Sequence, residues 1–288
     1  MSAARIVVLF HENERDPTRY IVHHLAEFWR EDGHHVDYVF GPRRFVAADL
    51  VFVHVDLSVV PDRYMEFATR YPRAVNGRLR DIRKSTVSDQ LVGTGDDWTG
   101  PVIVKSDLNY GGLPERALEV SALERRVPVL LRLRRRLDAR LRPHRIPLGH
   151  LDYEIFDSIA DVPSWVWNDP RVVVERFVPE IENGLHHLRM MLVLGDRWRC
   201  TLVRSDHRVI KARRSLASED VEPHPETFAW RERFGVDYGK IDYVVYEGRP
   251  ILLDINKTIG ATRSGYREPE TLVANRRHLA AGIAAYLD

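Results

Sequence analysis

The chain has 288 residues, of which 44% are hydrophobic and 30% charged, and its formal net charge is +1. This length suits one large domain or two to three smaller ones, and a charge so near zero provides no global field that would attract nucleic acid or a membrane surface. A single cysteine excludes an internal disulfide and no stretch approaches the ~18 apolar residues of a membrane helix, so we expect a cytoplasmic protein.

The first 80 residues alternate predicted strands and helices. A short apolar run typical of a buried strand occupies residues 5–10, and further predicted strands occupy 35–40 and 49–55. Asp16 and Pro17 provide the N-cap and first-turn proline of a helix that Gly33 ends. This alternation favours a small parallel α/β unit over residues 1–80.

The remainder of the chain is richer in strands. Predicted strands cover 101–105, 171–178, 188–194 and 198–203, and a predicted hairpin covers 240–246 and 250–255. Residues 80–92 are predicted to form a helix or a helix entry, and a last helix is predicted over 270–287. Strands that succeed one another in hairpins indicate an α+β part after the initial α/β unit.

The segment 240–260, KIDYVVYEGRPILLDINKTIG, predicts a hairpin able to hold a metal ion. A turn at Gly248 places Asp242 directly opposite Asp254, and Asn256 then shares their face. Two opposed carboxylates destabilise a bare hairpin, whereas carboxylate and amide oxygens suit Mg²⁺. The alternative is that the two aspartates lie at solvent-exposed strand ends, because a one-residue shift of the turn breaks their pairing. The side chains predicted to point into the core are Ile251, Leu253 and Ile255.

Lys105 ends the apolar strand PVIVK, shortly before the adjacent glycines Gly111 and Gly112. A lysine in this place can reach a phosphate, and glycine lets backbone N–H groups approach the same anion. The alternative is a surface lysine before an ordinary loop. Lys84 is the weaker candidate, because a lysine beside arginines on a helix is usually solvated.

The run VVVERFVPE contains Glu175 in a strongly β-like setting. Such a strand can present backbone N–H and C=O groups to an adenine, with Glu180 or Glu182 downstream for the ribose. The alternative is a strand with an exposed Glu-Arg pair.

Taken in order, these segments resemble the ATP-grasp superfamily, and within it the ribosomal-protein glutamate ligase and D-alanine–D-alanine ligase type. The matching series begins at Lys84, continues through PVIVKSDLNYGG, VVVERFVPE and LHHLRMMLVLGDR, and ends with IDYVVYEGRPILLDINKTIG. The resemblance implies an ATP-grasp fold, α/β plus α+β, with an N-terminal Rossmann-like pre-ATP-grasp domain over 1–80. It further implies ATP-grasp subdomains over 81–178 and 179–288, the second carrying the metal site.

The resemblance also implies roles for individual residues, with ATP and Mg²⁺, or alternatively Mn²⁺, as cofactors. The expected nucleotide contacts are Lys84, Lys105, Gly111, Gly112, Glu175, Arg176, Phe177, Val178, Glu180 and Glu182. The expected metal ligands are Asp242, Asp254 and Asn256, and the groups expected to face the transferring phosphoryl group or the substrate are Arg204, Lys211 and Arg213. Asp254 stands where the family usually has a glutamate, which leaves open whether one metal binds or two.

The implied activity is ligation: ATP phosphorylates a carboxylate, and an amine attacks the acyl phosphate to form an amide. The expected partners are small-molecule or peptide carboxylates and amines, and a homodimer is typical of the family. The family's Asp-Ile-Arg pattern is replaced by His187-Leu188-Arg189, and the usual proline after the metal-binding asparagine is absent, which argues against assigning a specific known activity. An ATP-grasp phosphotransferase (kinase) and a decayed, non-catalytic ATP-binding protein remain as alternatives.

The arginine-rich segment 125–145 presents a further alternative, nucleic-acid binding. Leucines at helical spacing between the arginines favour an amphipathic helix whose basic face is solvated or paired with acids. We therefore expect neither a nucleic-acid nor a membrane partner.

Overall fold

The computed structural model describes residues 3–118, 129, 153–210, 215–261 and 269–287. By their packing the described residues divide into two compact units. The first unit comprises those within 1–82, 86–89 and 178–288, and the second those within 83–85 and 90–177. No helix in these ranges is long and apolar enough to cross a membrane. The domain boundaries expected near residues 80 and 178 stay predictions.

The elements of the described residues alternate at first and then run mainly as strands. The α-helices are α1 (Ile21–Glu31), α2 (Asp62–Ala68), α3 (Lys84–Val87), α4 (Leu113–Leu118), α5 (Ser164–Trp167), α6 (Glu226–Phe234) and α7 (Glu270–Ala280). The strands are β1 (Arg5–Phe10), β2 (His35–Phe40), β3 (Leu50–His54), β4 (Ala74–Val75), β5 (Val102–Ser106), β6 (Glu154–Phe156), β7 (Val172–Arg176), β8 (Glu180–Glu182), β9 (Leu185–Leu194), β10 (Arg197–Ser205), β11 (Ala217–Val221), β12 (Tyr238–Tyr246) and β13 (Arg249–Asn256).

A four-stranded parallel sheet, in the order β2-β1-β3-β4, forms the N-terminal part of the first unit. Successive residues of β1 pack on opposite faces: Ile6 joins a core cluster with Trp29 of α1, whereas Val7 joins another with Tyr64 of α2. Burial on both faces explains why β1 is a continuous apolar run rather than an alternating one. The predicted strands of this region are confirmed, and its Rossmann-like character stays a prediction.

Three predicted helices have different bounds. Asp16 caps a short 3-10 turn, Pro17–Arg19, and α1 begins only at Ile21, so the predicted helix start at Asp16 is wrong. The region 80–92 contains only the four-residue α3. The last helix, α7, is followed by the 3-10 segment Ala281–Tyr286.

The first unit also contains an antiparallel sheet in the order β11-β10-β9-β12-β13, with β8 paired to the start of β9. One face of this sheet buries a core that includes Met191, Val193, Cys200, Ile241, Tyr243, Leu252 and Ile255. Gly195, with φ +56°, turns the chain from β9 to β10, and a Cβ there would lie 2.2 Å from the Gly282 carbonyl oxygen. A residue with a side chain therefore cannot occupy this turn without displacing the C-terminal segment.

The second unit is built on a three-stranded antiparallel sheet in the order β6-β5-β7. Val102 and Val104 of β5 pack with Val172 and Val174 of β7 in its core. Because side chains alternate along a strand, Lys105 lies on the face of β5 opposite these valines.

Candidate functional site

The hairpin of β12 and β13 places Asp242 directly opposite Asp254, as the sequence predicts. Two positions along, Lys240 lies opposite Asn256. The four side chains therefore share one face of the hairpin and form a two-by-two group, termed here the four-residue block. This arrangement brings the three predicted metal ligands together.

The register reaches this pairing by a different path from the one predicted. Glu247 and Gly248 form a two-residue turn, both with positive φ, and Tyr246 pairs with Arg249. A β-bulge next to Asp242 then shifts the register by one residue.

The bulge also changes which side chains of β13 enter the core. Leu252 and Ile255 are buried, whereas Ile251 and Leu253 are only half-buried. The predicted inward set of Ile251, Leu253 and Ile255 is therefore wrong except for Ile255, because an extra residue interrupts strict alternation.

Lys240 belongs to the candidate site, although the sequence reasoning missed it. Its Nζ donates to Asp242 Oδ2 at 2.7 Å, and the side chains are 23% and 15% exposed. The signal available in the sequence was its position two residues before Asp242, since residues two apart on a strand share a face.

The donor set of the four-residue block fits a divalent cation. Asp242 and Asp254 offer carboxylate oxygens, which are hard ligands suited to Mg²⁺. Asn256 Oδ1 accepts the Thr258 N–H at 2.9 Å and, as an amide oxygen with two lone pairs, can still bind a metal. Across the described residues no group of three or more His, Cys, Asp or Glu side chains is placed to hold a metal, and the candidate ligands here are two carboxylates and one amide.

Lys105 and Glu175 form a buried ion pair in the second unit. Lys105 Nζ lies 2.6 Å from Glu175 Oε2, and the two side chains are 7% and 2% exposed. Ile103 pairs in register with Glu175, so the glutamate projects from the same sheet face as Lys105. The interpretation of Lys105 as an exposed surface lysine is therefore wrong.

Lys84 is also buried, at the start of α3. Its backbone N–H donates to the Asp107 carbonyl at 3.0 Å, and the Asp107 carboxylate accepts from the Ser85 N–H and hydroxyl at 2.8 and 3.0 Å. Asp107 thus fixes the first residues of α3 immediately beyond the strand that carries Lys105, so both predicted phosphate lysines belong to one compact unit.

The glycine turn after β5 adopts the left-handed backbone at three successive residues, Tyr110, Gly111 and Gly112. A Cβ at Gly112 would lie 3.0 Å from a methyl carbon of Leu108. Glycine is favoured there by both its φ of +68° and this close approach.

The predicted adenine segment has part of its backbone already engaged. The Arg176 N–H donates to the Gln90 carbonyl at 2.9 Å, and the Phe177 N–H donates to the Pro101 carbonyl at 2.8 Å. These two donors are committed within the second unit, so an adenine contact from Glu175 to Val178 would use other backbone groups.

Glu180 is anchored in the first unit. Its carboxylate accepts from Arg189 at 2.7 and 3.2 Å and from the Val245 N–H at 2.7 Å. Burial raises the pKa of this carboxyl, but the hydrogen bonds from Arg189 and Val245 outweigh burial, so the pKa lies below its ordinary value. Glu182, its rival for the ribose, has a mostly exposed side chain.

Arg204 is not brought to the four-residue block. It pairs in register with His187, three residues from Met190, the partner of Asp242. Alternation places Arg204 on the opposite face of the sheet, where its guanidinium binds Glu219. Its role toward the phosphoryl group stays a prediction. Lys211, Arg213 and the basic segment 125–145, apart from residue 129, lie outside the described residues.

No protein-family model matches this sequence, and no curated protein matches it. Among solved structures, the ATP-grasp ligase PsnB complexed with a minimal precursor is similar over 100% of this chain and 99% of its own, with a TM-score of 0.50 and 13% identity. A RimK domain ATP-grasp protein from Sphaerobacter thermophilus matches over 99% of both chains, with a TM-score of 0.48 and 14% identity. A D-alanine–D-alanine ligase from Bacillus anthracis matches over 99% of this chain and 94% of its own, with a TM-score of 0.46 and 12% identity.

The likeness to PsnB extends over the whole of both chains, and at such low identity it concerns the fold alone. It agrees with the mixed α/β architecture and with the order of the sequence motifs. The chain has the ATP-grasp fold.

Proposed function

We propose that this protein is an ATP- and Mg²⁺-dependent ligase that joins a carboxylate to an amine. The observation that carries the proposal is the pairing of Asp242 with Asp254, with Asn256 on the same face. Two facing carboxylates in a half-buried hairpin repel each other, the Lys240 ammonium offsets part of that repulsion, and a divalent cation reverses its sign. An ATP-grasp fold supplies the reason for such a cation, since Mg²⁺ usually takes some of its oxygens from a nucleotide phosphate.

Within this proposal the second unit supplies the positively charged side chains that bind the ATP phosphates. Lys84 and Lys105 are both buried, and poorly solvated ammonium groups interact strongly with phosphate oxygens. Glu175 holds the Lys105 ammonium at 2.6 Å and fixes its direction. The turn at Gly111 and Gly112 provides backbone flexible enough to approach a phosphate.

In the first unit Asp242, Asp254 and Asn256 would hold Mg²⁺, which when bound neutralises phosphate charge. Glu180, oriented by Arg189, would accept from the ribose hydroxyls. Val178 and the carbonyls of Glu175, Arg176 and Phe177 would meet the adenine. Arg204, Lys211 and Arg213 remain proposed contacts of the substrate rather than members of the four-residue block.

The proposed reaction has two steps. A carboxylate oxygen attacks the γ-phosphorus of ATP, the bond to the β-phosphate oxygen breaks, and ADP leaves. The amine nitrogen then attacks the acyl carbon, inorganic phosphate departs, and the nitrogen loses a proton to give the amide. No covalent enzyme intermediate is required, so these side chains act by positioning and by neutralising charge.

We infer that the carboxylate and the amine belong to small molecules or to peptides. PsnB was solved with a minimal precursor, and a screen of this protein should cover peptides beside small molecules.

The test is ATP-dependent phosphate release across pools of carboxylates and amines, with the products identified by mass spectrometry. We expect ADP, phosphate and an amide, each requiring Mg²⁺ and each lost in Asp254→Asn. The matched control, Asp89→Asn, removes an exposed carboxylate whose partner is Arg233 and should retain activity. A phosphorylated product without amide would show a kinase, and no stabilisation by ATP with Mg²⁺ would show a non-catalytic protein.

A further inference from the structure

Lysine is scarce in this chain, and its placement is selective. Of 43 basic side chains only five are lysine, so arginine supplies nearly all of the surface positive charge. Four of the five lie in the described part of the chain, and none of the four is exposed: Lys84, Lys105 and Lys257 are buried, and Lys240 is half-buried. The two cations differ physically, because an ammonium is a compact point charge whereas a guanidinium is a broad planar fork. The four described lysines therefore lie where solvent is limited, whereas arginine supplies the exposed positive charge.

Lys240 meets that description within the four-residue block. Its Nζ lies 2.7 Å from Asp242 Oδ2, on the hairpin face that also carries Asp254 and Asn256. The side chains of Lys240 and Asp242 are 23% and 15% exposed, so solvent screens the pair less than it would a surface ion pair.

A divalent cation bound through Asp242 has to share that carboxylate with the Lys240 ammonium or displace it. Metal–oxygen distances of about 2.1 Å and the short Lys240–Asp242 contact together place the two cations only several ångströms apart. At that separation like charges repel strongly in a partly desolvated site.

We propose that Lys240 is a built-in competitor for the divalent cation: it neutralises Asp242 and thereby weakens the intrinsic metal affinity of the acidic pair. ATP phosphates can receive the displaced ammonium, so metal and nucleotide bind together more tightly than metal alone. Lys240 therefore acts on the metal through the Asp242 carboxylate and is not itself a metal ligand. The inference rests on the metal site of the proposed function and adds the control of its affinity.

The experiment measures Mn²⁺ binding to the full-length protein by electron paramagnetic resonance, first with the metal alone and then with a non-hydrolysable ATP analogue. Lys240→Met is compared with Lys240→Arg, with Asp254→Asn and with Arg233→Met. The last of these removes one positive charge from an exposed ion pair with Asp89 and is the charge-matched control.

We expect Lys240→Met to bind Mn²⁺ alone at least ~10-fold more tightly than the unmodified protein, and to gain less from the ATP analogue. Lys240→Arg should restore most of the competition, whereas Arg233→Met should bind as the unmodified protein does. In EDTA, Lys240→Met should also melt at a lower temperature, since the Asp242 carboxylate loses the Lys240 ammonium while it still faces Asp254. A merely structural lysine would lower the melting temperature without tightening metal binding.

The failures of the two proposals are distinguishable. If the unmodified protein binds Mn²⁺ and Asp254→Asn abolishes the binding, but Lys240→Met binds no more tightly, the competitor inference is overturned and the metal site stands. If neither the unmodified protein nor Lys240→Met binds Mn²⁺ through Asp254, the metal site of the proposed function is overturned as well.

Discussion

Replacement of the buried Lys105–Glu175 pair tests whether these two charges stabilise each other in the second unit. The two side chains are 7% and 2% exposed, so removal of one partner leaves the other charge buried with little solvent to compensate. We expect Lys105→Met and Glu175→Met each to lower the free energy of unfolding by about 3–5 kcal/mol. The double variant should recover most of that loss, because a buried ion pair replaced by apolar groups of similar volume is often neutral.

The assay is urea unfolding of the full chain, monitored through hydrogen exchange of the β5 amides. Exchange at these amides reports the unfolding of the second unit, which contains β5. The refolded double variant should no longer be stabilised by ATP, since it lacks the proposed phosphate lysine. At an ATP concentration 100 times the dissociation constant, ATP should raise the free energy of unfolding of the wild-type protein by about 2.7 kcal/mol. If the two single losses simply add in the double variant, the pair is not coupled and the reasoning is refuted.

Two further predictions concern His54 and Gly112. Burial lowers the pKa of His54 to about 3, whereas its pKa in the unfolded chain is about 6.5. As the pH falls, the unfolded state is therefore protonated before the folded state. The free energy of unfolding should decrease as the pH drops from about 6.5 toward 3. Between pH 7 and pH 5 this residue should account for about 2 kcal/mol of lost stability, a loss that His54→Phe should remove; an equal pH dependence in the variant would contradict the assignment. Gly112→Ala should cost roughly 1–2 kcal/mol in thermal unfolding, because its φ is +68° and the added Cβ would lie 3.0 Å from Leu108. Gly93→Ala is the control, since a Cβ there meets nothing within 4 Å, and equal effects at the two glycines would refute the strain.

The parts of the fold that the sequence predicts well are those with strong local patterns. β1 has five successive apolar residues, and β12 with β13 surround a turn that contains Gly248, a residue that adopts positive φ readily, so both were predictable. β11 and α6 were missed, because β11 is the polar run ASEDV and α6 has no clear apolar stripe. β11 is held by its pairing with β10, and α6 packs Phe228, Trp230 and Phe234 against the core of the antiparallel sheet; neither long-range contact is encoded in a local pattern.

The candidate site was predictable to a similar extent. The pairing of Asp242 with Asp254 was predicted from residue spacing. The actual strand register reaches this pairing only through a β-bulge beside Asp242, and no sequence pattern indicates that bulge. The burial of Lys105 depends on its pairing with Glu175, 70 residues away. Such long-range pairings are set by the sheet register rather than by neighbouring residues, and for the same reason the sequence could not place Arg204 on the opposite sheet face.

The most direct test of the metal assignment is a crystal of the full-length protein grown with Mn²⁺ and a non-hydrolysable ATP analogue. Anomalous scattering should place Mn²⁺ within about 2.5 Å of carboxylate oxygens of both Asp242 and Asp254, with Asn256 and phosphate oxygens completing the shell. Mn²⁺ bound elsewhere, or a nucleotide bound with those two carboxylates facing away from it, would contradict the account.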